Sequence, residues 1–484
     1  MSNFTFLIVI AIYFALLLLI SYITGRKQSD NKTFFLANRQ SLWWIVAIGM
    51  IGSSISGVSF VSVPGMVGKI DFTYMQTVFG FFFGYIVIAK VLLPLYYKLN
   101  LTTIYTYLAQ RIGKRAYKTG ASFFLLSKII GAATRLYIVA LILQLLMFDS
   151  LKVPFTITVL GTVFLIWLYT FRNGIKTIIW TDTLQTFVMI VALVIIMIQV
   201  FSRIDFGETG VVSQLVNYEH TRIFVFDDWY SKQNFFKQFF SGIFIAIVMT
   251  GLDQDMMQKN LSCKNLHEAQ KNMYWYGFAF IPVNLIFLLL GAGLLLFATQ
   301  NQIILPENTD EILPFLASNY LGNITFIIFA VGIIAAAFSS ADSALAALTT
   351  SFYVDILNIK NKTEKQEIRY RLLIHTGISV LFALVIIAIK ALNSQSIIDL
   401  IYTIASYTYG PLLGMFAFGL FTKRQTNDSV VPYVAVLSPA ICYFLNFLFT
   451  KYLSYQFGYE LLMLNGLITF MGLYFCRKKE ITAM

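Results

Sequence analysis

Ser339, Asp342 and Ser343 stand close together inside a long apolar stretch, with Ser343 four residues beyond Ser339. On a helix such spacing puts side chains on one face. Two hydroxyls and a carboxylate form a hard-oxygen site, the donor set a small cation such as Na+ accepts. A charged carboxylate at mid-membrane costs at least about 2.5–3.5 kcal/mol. Asp342 therefore needs a proton, a cation or a basic partner. Hydroxyls rather than Lys or Arg surround it, which favours an ion over an internal salt bridge. Asp182, in Trp180-Thr181-Asp182-Thr183-Leu184-Gln185, is a second buried-carboxylate candidate, with an interfacial cap as the alternative. Lys128 and Arg135 share nearly one helix face. Lys128 is close enough to the cytoplasmic end to snorkel. Arg135 is too central for that, and it either pairs with an internal Asp or meets an anionic solute through its guanidinium fork.

These residues need a membrane to give them meaning, and composition supplies one. The 484 residues are 58% hydrophobic and only 12% charged; mean hydropathy is +0.74. Soluble chains carry about 25% charged residues. Such a chain cannot cover itself with polar surface in water, so it sits in lipid as a single membrane transport domain spanning 1–484. A membrane helix needs about 20 apolar residues. Thirteen segments qualify: 5–25, 41–66, 73–97, 119–147, 153–171, 178–201, 236–257, 272–299, 321–356, 373–392, 397–421, 429–450 and 458–476. The chain is thus an all-α integral membrane protein of about 13 transmembrane helices.

Charge placement orients it. Arg26 and Lys27 follow the first segment and no Lys or Arg precedes it, the reverse of a signal peptide. Only Lys69, Lys152, Arg203, Arg222, Lys232, Lys237, Lys390 and Lys451 fall on the side expected to face out, with Lys90, Lys128 and Arg135 at membrane depth. The remaining Lys and Arg, roughly threefold more than the outer set, fall on the other side, as cytoplasmic loops require. The N-terminus is expected outside and the C-terminus in the cytoplasm, in the plasma membrane, which is the inner membrane of a bacterial cell. The net charge of +12 is then topology, and no nucleic-acid partner is expected. Trp43, Trp44, Trp167, Trp180, Trp229 and Trp275 lie mostly near segment ends, as an aromatic belt does. Cys263, Cys442 and Cys476 have neither metal-ligand nor disulfide spacing. The longest loop, near 202–235, carries mixed charge, and the short tail Arg477 to Met484 is not expected to hold a regulatory domain.

Two segments make poor plain helices. The second contains Gly49-Met50-Ile51-Gly52-Ser53-Ser54-Ile55-Ser56-Gly57-Val58-Ser59, then Pro64-Gly65. Glycine and serine weaken a helix, although small residues also serve close packing. The seventh contains Thr250-Gly251-Leu252-Asp253-Gln254-Asp255, with Asp255 open to an interfacial reading. Two interrupted segments at matching places in two halves point to an inverted-repeat transporter. The repeats would be 41–201 and 236–421, with 5–25 leading and 429–476 trailing. Exposed backbone at membrane depth is tolerated only beside protein or a wet cavity.

At these same residues the chain resembles the sodium/solute symporter family, whose members carry sugars, sialic acids, proline or pantothenate. Phe34-Phe35-Leu36-Ala37-Asn38-Arg39 resembles its "flaGR" stretch. Leu101-Thr102-Thr103-Ile104-Tyr105-Thr106-Tyr107-Leu108 with Arg111 resembles its "lTs-yEyLe-RF" loop, Thr106 replacing the usual Glu. Trp180-Thr181-Asp182 with Gln185 resembles "WTDv-Q", and Gly251-Leu252-Asp253-Gln254 with Gln258-Lys259 resembles "gtdQ…QR". The likeness extends to Phe421-Thr422-Lys423-Arg424, and Ser59-Phe60-Val61-Ser62-Val63-Pro64-Gly65 is similar to the sialic acid branch.

The resemblance implies a leucine-transporter-like core: a five-plus-five inverted repeat, one leading helix and two trailing ones. It implies a sodium site from Gly52, Ile55, Ala336, Ser339 and Ser340, and a second cation site from Asp182, Ser339, Asp342 and Ser343. Gly52 stands where Ala is common, and Asp342 replaces a hydroxyl. Substrate positions fall on Ser54, Ser56, Ser59, Tyr74 and Asp253. The sialic acid branch's Arg falls on Gly131 here, with Arg135 one turn further on. The expected function is sodium-coupled import of a small organic solute by alternating access, with a carboxylate-bearing solute such as a sialic acid-like sugar acid; a neutral sugar or a proline-like amino acid is the alternative. Na+ is the coupling ion, and no other cofactor or obligate protein partner is implied. A channel would want a ring of like ligands and a continuous pore. A transporter-like sensor would want a signalling domain. An enzyme would want a constellation that His220, His267 and His375, scattered in loops or at segment ends, do not form.

Overall fold

The computed structural model describes residues 3–24, 31–144, 148–149, 151–171, 174–208, 210–359, 362–390 and 397–476. Arg26, Lys27 and the tail from Arg477 lie outside them. The principal helices are α1 (Asn3–Thr24), α2 (Trp43–Ser54), α3 (Gly57–Gly65), α4 (Tyr74–Lys98), α5 (Lys114–Leu143), α6 (Phe155–Thr170), α7 (Ile175–Phe201), α8 (Phe235–Gly251), α9 (Gln254–Asn260), α10 (Leu266–Gln300), α11 (Asn323–Leu357), α12 (Glu364–Ile389), α13 (Ile397–Phe421), α14 (Val431–Leu453) and α15 (Leu461–Phe475). Among the described residues eight helices are long and apolar enough to span a membrane, and two bent pairs raise this to ten. The three other expected segments are the shorter apolar helices Ile8–Thr24, Phe155–Thr170 and Leu461–Phe475.

Both interrupted segments are broken. α2 and α3 meet at 59°, and α8 and α9 at 70°. At the first break Ile55 and Ser56 leave the helical region, Ser56 with φ −75° and ψ 171°. At the second, a π-helical turn over Ile247–Gly251 runs into Leu252 and an extended Asp253. Asp253 then caps α9, its side chain accepting the Asp255 amide, the usual use of Asp at a helix start.

α11 is the most enclosed element: every residue from Gly332 to Ser351 is buried. It packs against α7, α5, α2, α3 and α9. A span without a lipid-facing side can afford the small and hydroxyl residues that fill its middle. The lipid-facing helices behave oppositely, with α14 exposing Val436, Phe444 and Phe447. Several helices begin before the expected apolar start: α12 begins at Glu364 rather than near 373, because a helix continues past the apolar boundary where polar residues favour it.

Candidate functional site

Gly52 shows why the first broken helix can sit where it does. A Cβ there would lie 2.0 Å from Thr186 Oγ1 of α7. That hydroxyl already donates to the Ile48 and Asp182 carbonyls. Glycine at 52 is therefore a packing requirement in this chain. The carbonyls at a helix C-terminus lack intrahelical partners, so the end of α2 presents bare oxygens. It does so next to α11, where the Ser53 and Ser339 hydroxyls are 3.3 Å apart. Ala336, Ser339 and Ser340 are buried on α11, and Ile55 is buried at the break.

Asp182 is wholly buried, and its two oxygens are taken by different elements. Ser339 Oγ donates to Oδ1 at 2.6 Å. Oδ2 receives Ser53 Oγ at 3.1 Å and Ser343 Oγ at 3.3 Å. The Lys259 ammonium of α9 lies 2.7 Å from the same Oδ2 and also donates to Ser53 Oγ. Asp342 faces the other way: Tyr169 donates to its Oδ2 at 3.0 Å. Oδ1 has no hydrogen-bond partner among the described residues. The structure thus joins Asp182, Ser339 and Ser343 directly and turns Asp342 toward α6.

Lys259 is a correction. By sequence it counts with the inner-loop cations, yet its side chain is 1% exposed. Lys128 is another: it does not snorkel but lies 2.7 Å from Asp255 Oδ2 and 3.2 Å from Asp253 Oδ2. Tyr409 donates to Asp253 Oδ2 at 2.6 Å. Asp255, read as interfacial, is buried between the two lysines.

Beside this group lies a partly open cavity of about 90 Å³. Ser54, Arg135 and Asp253 line it, with Lys128, Thr250 and the tyrosines 85, 276, 402 and 409. Ser54 Oγ and Tyr276 OH are 2.7 Å apart, and Tyr276 OH is 3.1 Å from Tyr85 OH. Tyr74 is one step removed, its hydroxyl 3.1 Å from that of Tyr402. Ser56 and Ser59 do not line the cavity: Ser56 is buried in the break, and Ser59 lies in the first turn of α3. Gly131 lines it too, and a Cβ there would meet nothing within 4 Å. Arg135 is half-buried and makes no hydrogen bond or ion pair among the described residues. The internal carboxylates Asp253 and Asp255 are held by Lys128.

A family model described as "Sodium:solute symporter family" matches residues 34–430. The chain belongs to the sodium:solute symporter family. It is a multi-pass membrane transporter, not an enzyme. The sodium/sialic acid symporter NanT of Aliivibrio fischeri is 26% identical over 87% of this chain and 83% of its own length. SiaT of Proteus mirabilis, also named a sodium/sialic acid symporter, is 24% identical over 90% of both. Sodium-coupled monocarboxylate transporter 1 of Mus musculus is 26% identical over 82% of this chain and 65% of its own. A solved Na+-coupled sialic acid symporter, substrate-bound and outward-open, superposes with a TM-score of 0.83 at 21% identity, covering 98% of this chain and 97% of that one. The fold is therefore the inverted-repeat transporter fold expected from the paired interruptions.

Proposed function

We propose that this symporter imports a carboxylate-bearing solute, driven by sodium, with Arg135 as the carboxylate's anchor. The observation that carries the reading is Arg135 itself, a cation on the cavity wall with its donors unclaimed. The relatives named for sialic acid and for monocarboxylates agree with it. Tyr276, Tyr85 and Ser54 offer hydroxyls to the polar remainder of the solute, while Phe81 and Phe280 give it apolar walls. Asp253, already neutralised by Lys128, contributes shape and polarity more than net charge.

In this reading sodium binds Gly52, Ile55, Ala336, Ser339 and Ser340, tying the first broken helix to α11 and favouring the outward-open state. Asp182, Ser339, Asp342 and Ser343 form the second cation-handling group. The repeats rock about these sites, and sodium leaves first into the cytoplasm. The protein sits in the plasma membrane with its N-terminus outside. One charge across 100 mV is worth about 2.3 kcal/mol, and a tenfold gradient adds about 1.4 kcal/mol. Each sodium can thus support roughly several hundredfold accumulation.

The test is a thermal-shift panel on purified protein: N-acetylneuraminic acid, pyruvate, proline and glucose, each in NaCl and in choline chloride. Stabilisation by an acid, dependent on sodium and lost in Arg135→Ala, is expected. Stabilisation by glucose or proline alone would replace the carboxylate reading with the neutral-solute one.

A further inference from the structure

The group around Asp182 has the donor set of a cation site, and a cation of the chain already stands in it. Lys259 Nζ is 2.7 Å from Asp182 Oδ2, donates to Ser53 Oγ, and is 3.9 Å from Asp255 Oδ1. Both partners of the principal pair are enclosed, with side-chain exposures of 1% and 0%. An ammonium carries one positive charge and three donors, and it takes oxygen acceptors as a small cation does. We propose that Lys259 is the resident cation of the Asp182 site, so that the protein binds a single sodium, at the break in α2.

A second ion on Asp182 would have to compete with the contacts already made. Its Oδ1 is taken by Ser339, and its Oδ2 by Ser53, Ser343 and Lys259 together. A sodium ion there would meet the ammonium at close range with nothing between them to screen the repulsion. The tether also has a mechanical meaning. Lys259 belongs to α9, beyond the second break, while Ser53 belongs to α2, before the first, and Asp182 belongs to α7. One ammonium therefore fastens the broken helix of one repeat to that of the other. A free ion in the same place would fasten them only while bound.

This inference rests on the sodium reading, and the experiment separates the two. Equilibrium binding of ²²Na+ to the purified full chain, without solute, gives the number of ions per chain. One is expected. Two would overturn the inference and leave sodium symport standing; none would overturn both. Lys259→Ala removes the ammonium and leaves the oxygens, so its count should double to two, and its melting temperature should rise with sodium far more than that of the unaltered protein. A count that stays at one in Lys259→Ala would show that the cradle does not accept an ion, and would overturn the inference. A variant that purifies only in sodium is the expected behaviour carried further. If Lys259→Ala folds in neither salt, Lys259→Arg keeps the charge and must hold the count at one; two would again overturn it.

Discussion

The two broken helices solve the same problem with opposite means. Around Ile55–Ser56 the first break holds hydroxyls, glycines and backbone oxygens, with no charged residue between Trp43 and Gly65. Around Leu252–Asp253 the second holds Asp253, Asp255 and Lys259, and α5 brings Lys128 to it. A site that must load and release an ion each cycle suits neutral oxygens, which bind without holding too tightly. A joint that must stay fixed while the repeats rock suits permanent charges in a low-dielectric setting, where breaking one pair is costly. On the proposed sodium site, the first break would be the exchangeable site and the second the fixed electrostatic frame.

The largest effects should separate the two lysines. Lys128→Met leaves Asp253 and Asp255 without their nearest cation, and losing one partner of a buried pair costs about 3–5 kcal/mol. Thermal melts in NaCl and in choline chloride should show an equal loss in both salts. Lys259→Ala should suffer a similar loss in choline and recover part of it in sodium. Equal recovery of both variants would erase the distinction between frame and site.

Arg135→Lys comes next. It keeps the charge but loses the planar fork, and a hydrogen bond to a charged group is worth about 1.5–3 kcal/mol. Affinity for the carboxylate solute, measured by calorimetry, should fall accordingly. The melting temperature should stay put, since no internal partner of Arg135 is broken. A lowered melting temperature with unchanged affinity would move Arg135 from the cavity's chemistry into the frame.

The smallest effect is at the first break. Ser339→Ala should raise the sodium concentration for half-maximal uptake about tenfold, about 1.4 kcal/mol, in a protein that still folds. Unchanged sodium dependence in a well-folded variant would remove Ser339 from the ion site.

What the sequence revealed and what it hid follow one physical line. The breaks were legible because Gly and Ser, or paired carboxylates, violate the local rules of an apolar span, and a local violation is visible in a single segment. Ser339 and Asp342 announced themselves for the same reason. The partners did not. Lys259 follows a stretch that ends like any cytoplasmic flank, so the charge rule absorbed it into a loop, while the chain turns by 70° and carries it back into the core. Lys128 was a plausible snorkeler until α9 arrived with two carboxylates. Tyr85 and Tyr276 break no local rule of an apolar span; a hydroxyl that must be satisfied when buried was the available signal. Long-range pairings leave no periodicity behind, so the donors of a site can be read where their partners cannot.

Reconstitution into proteoliposomes is the decisive experiment on sodium-driven accumulation. Purified protein is reconstituted and uptake of N-acetylneuraminic acid, pyruvate, proline and glucose is followed with an inward sodium gradient, with choline in its place, and after a sodium ionophore. At least one acid should rise above its external concentration only under the sodium gradient, and the ionophore should collapse that accumulation. Uptake that merely equilibrates, at the same rate in choline as in sodium, would contradict it.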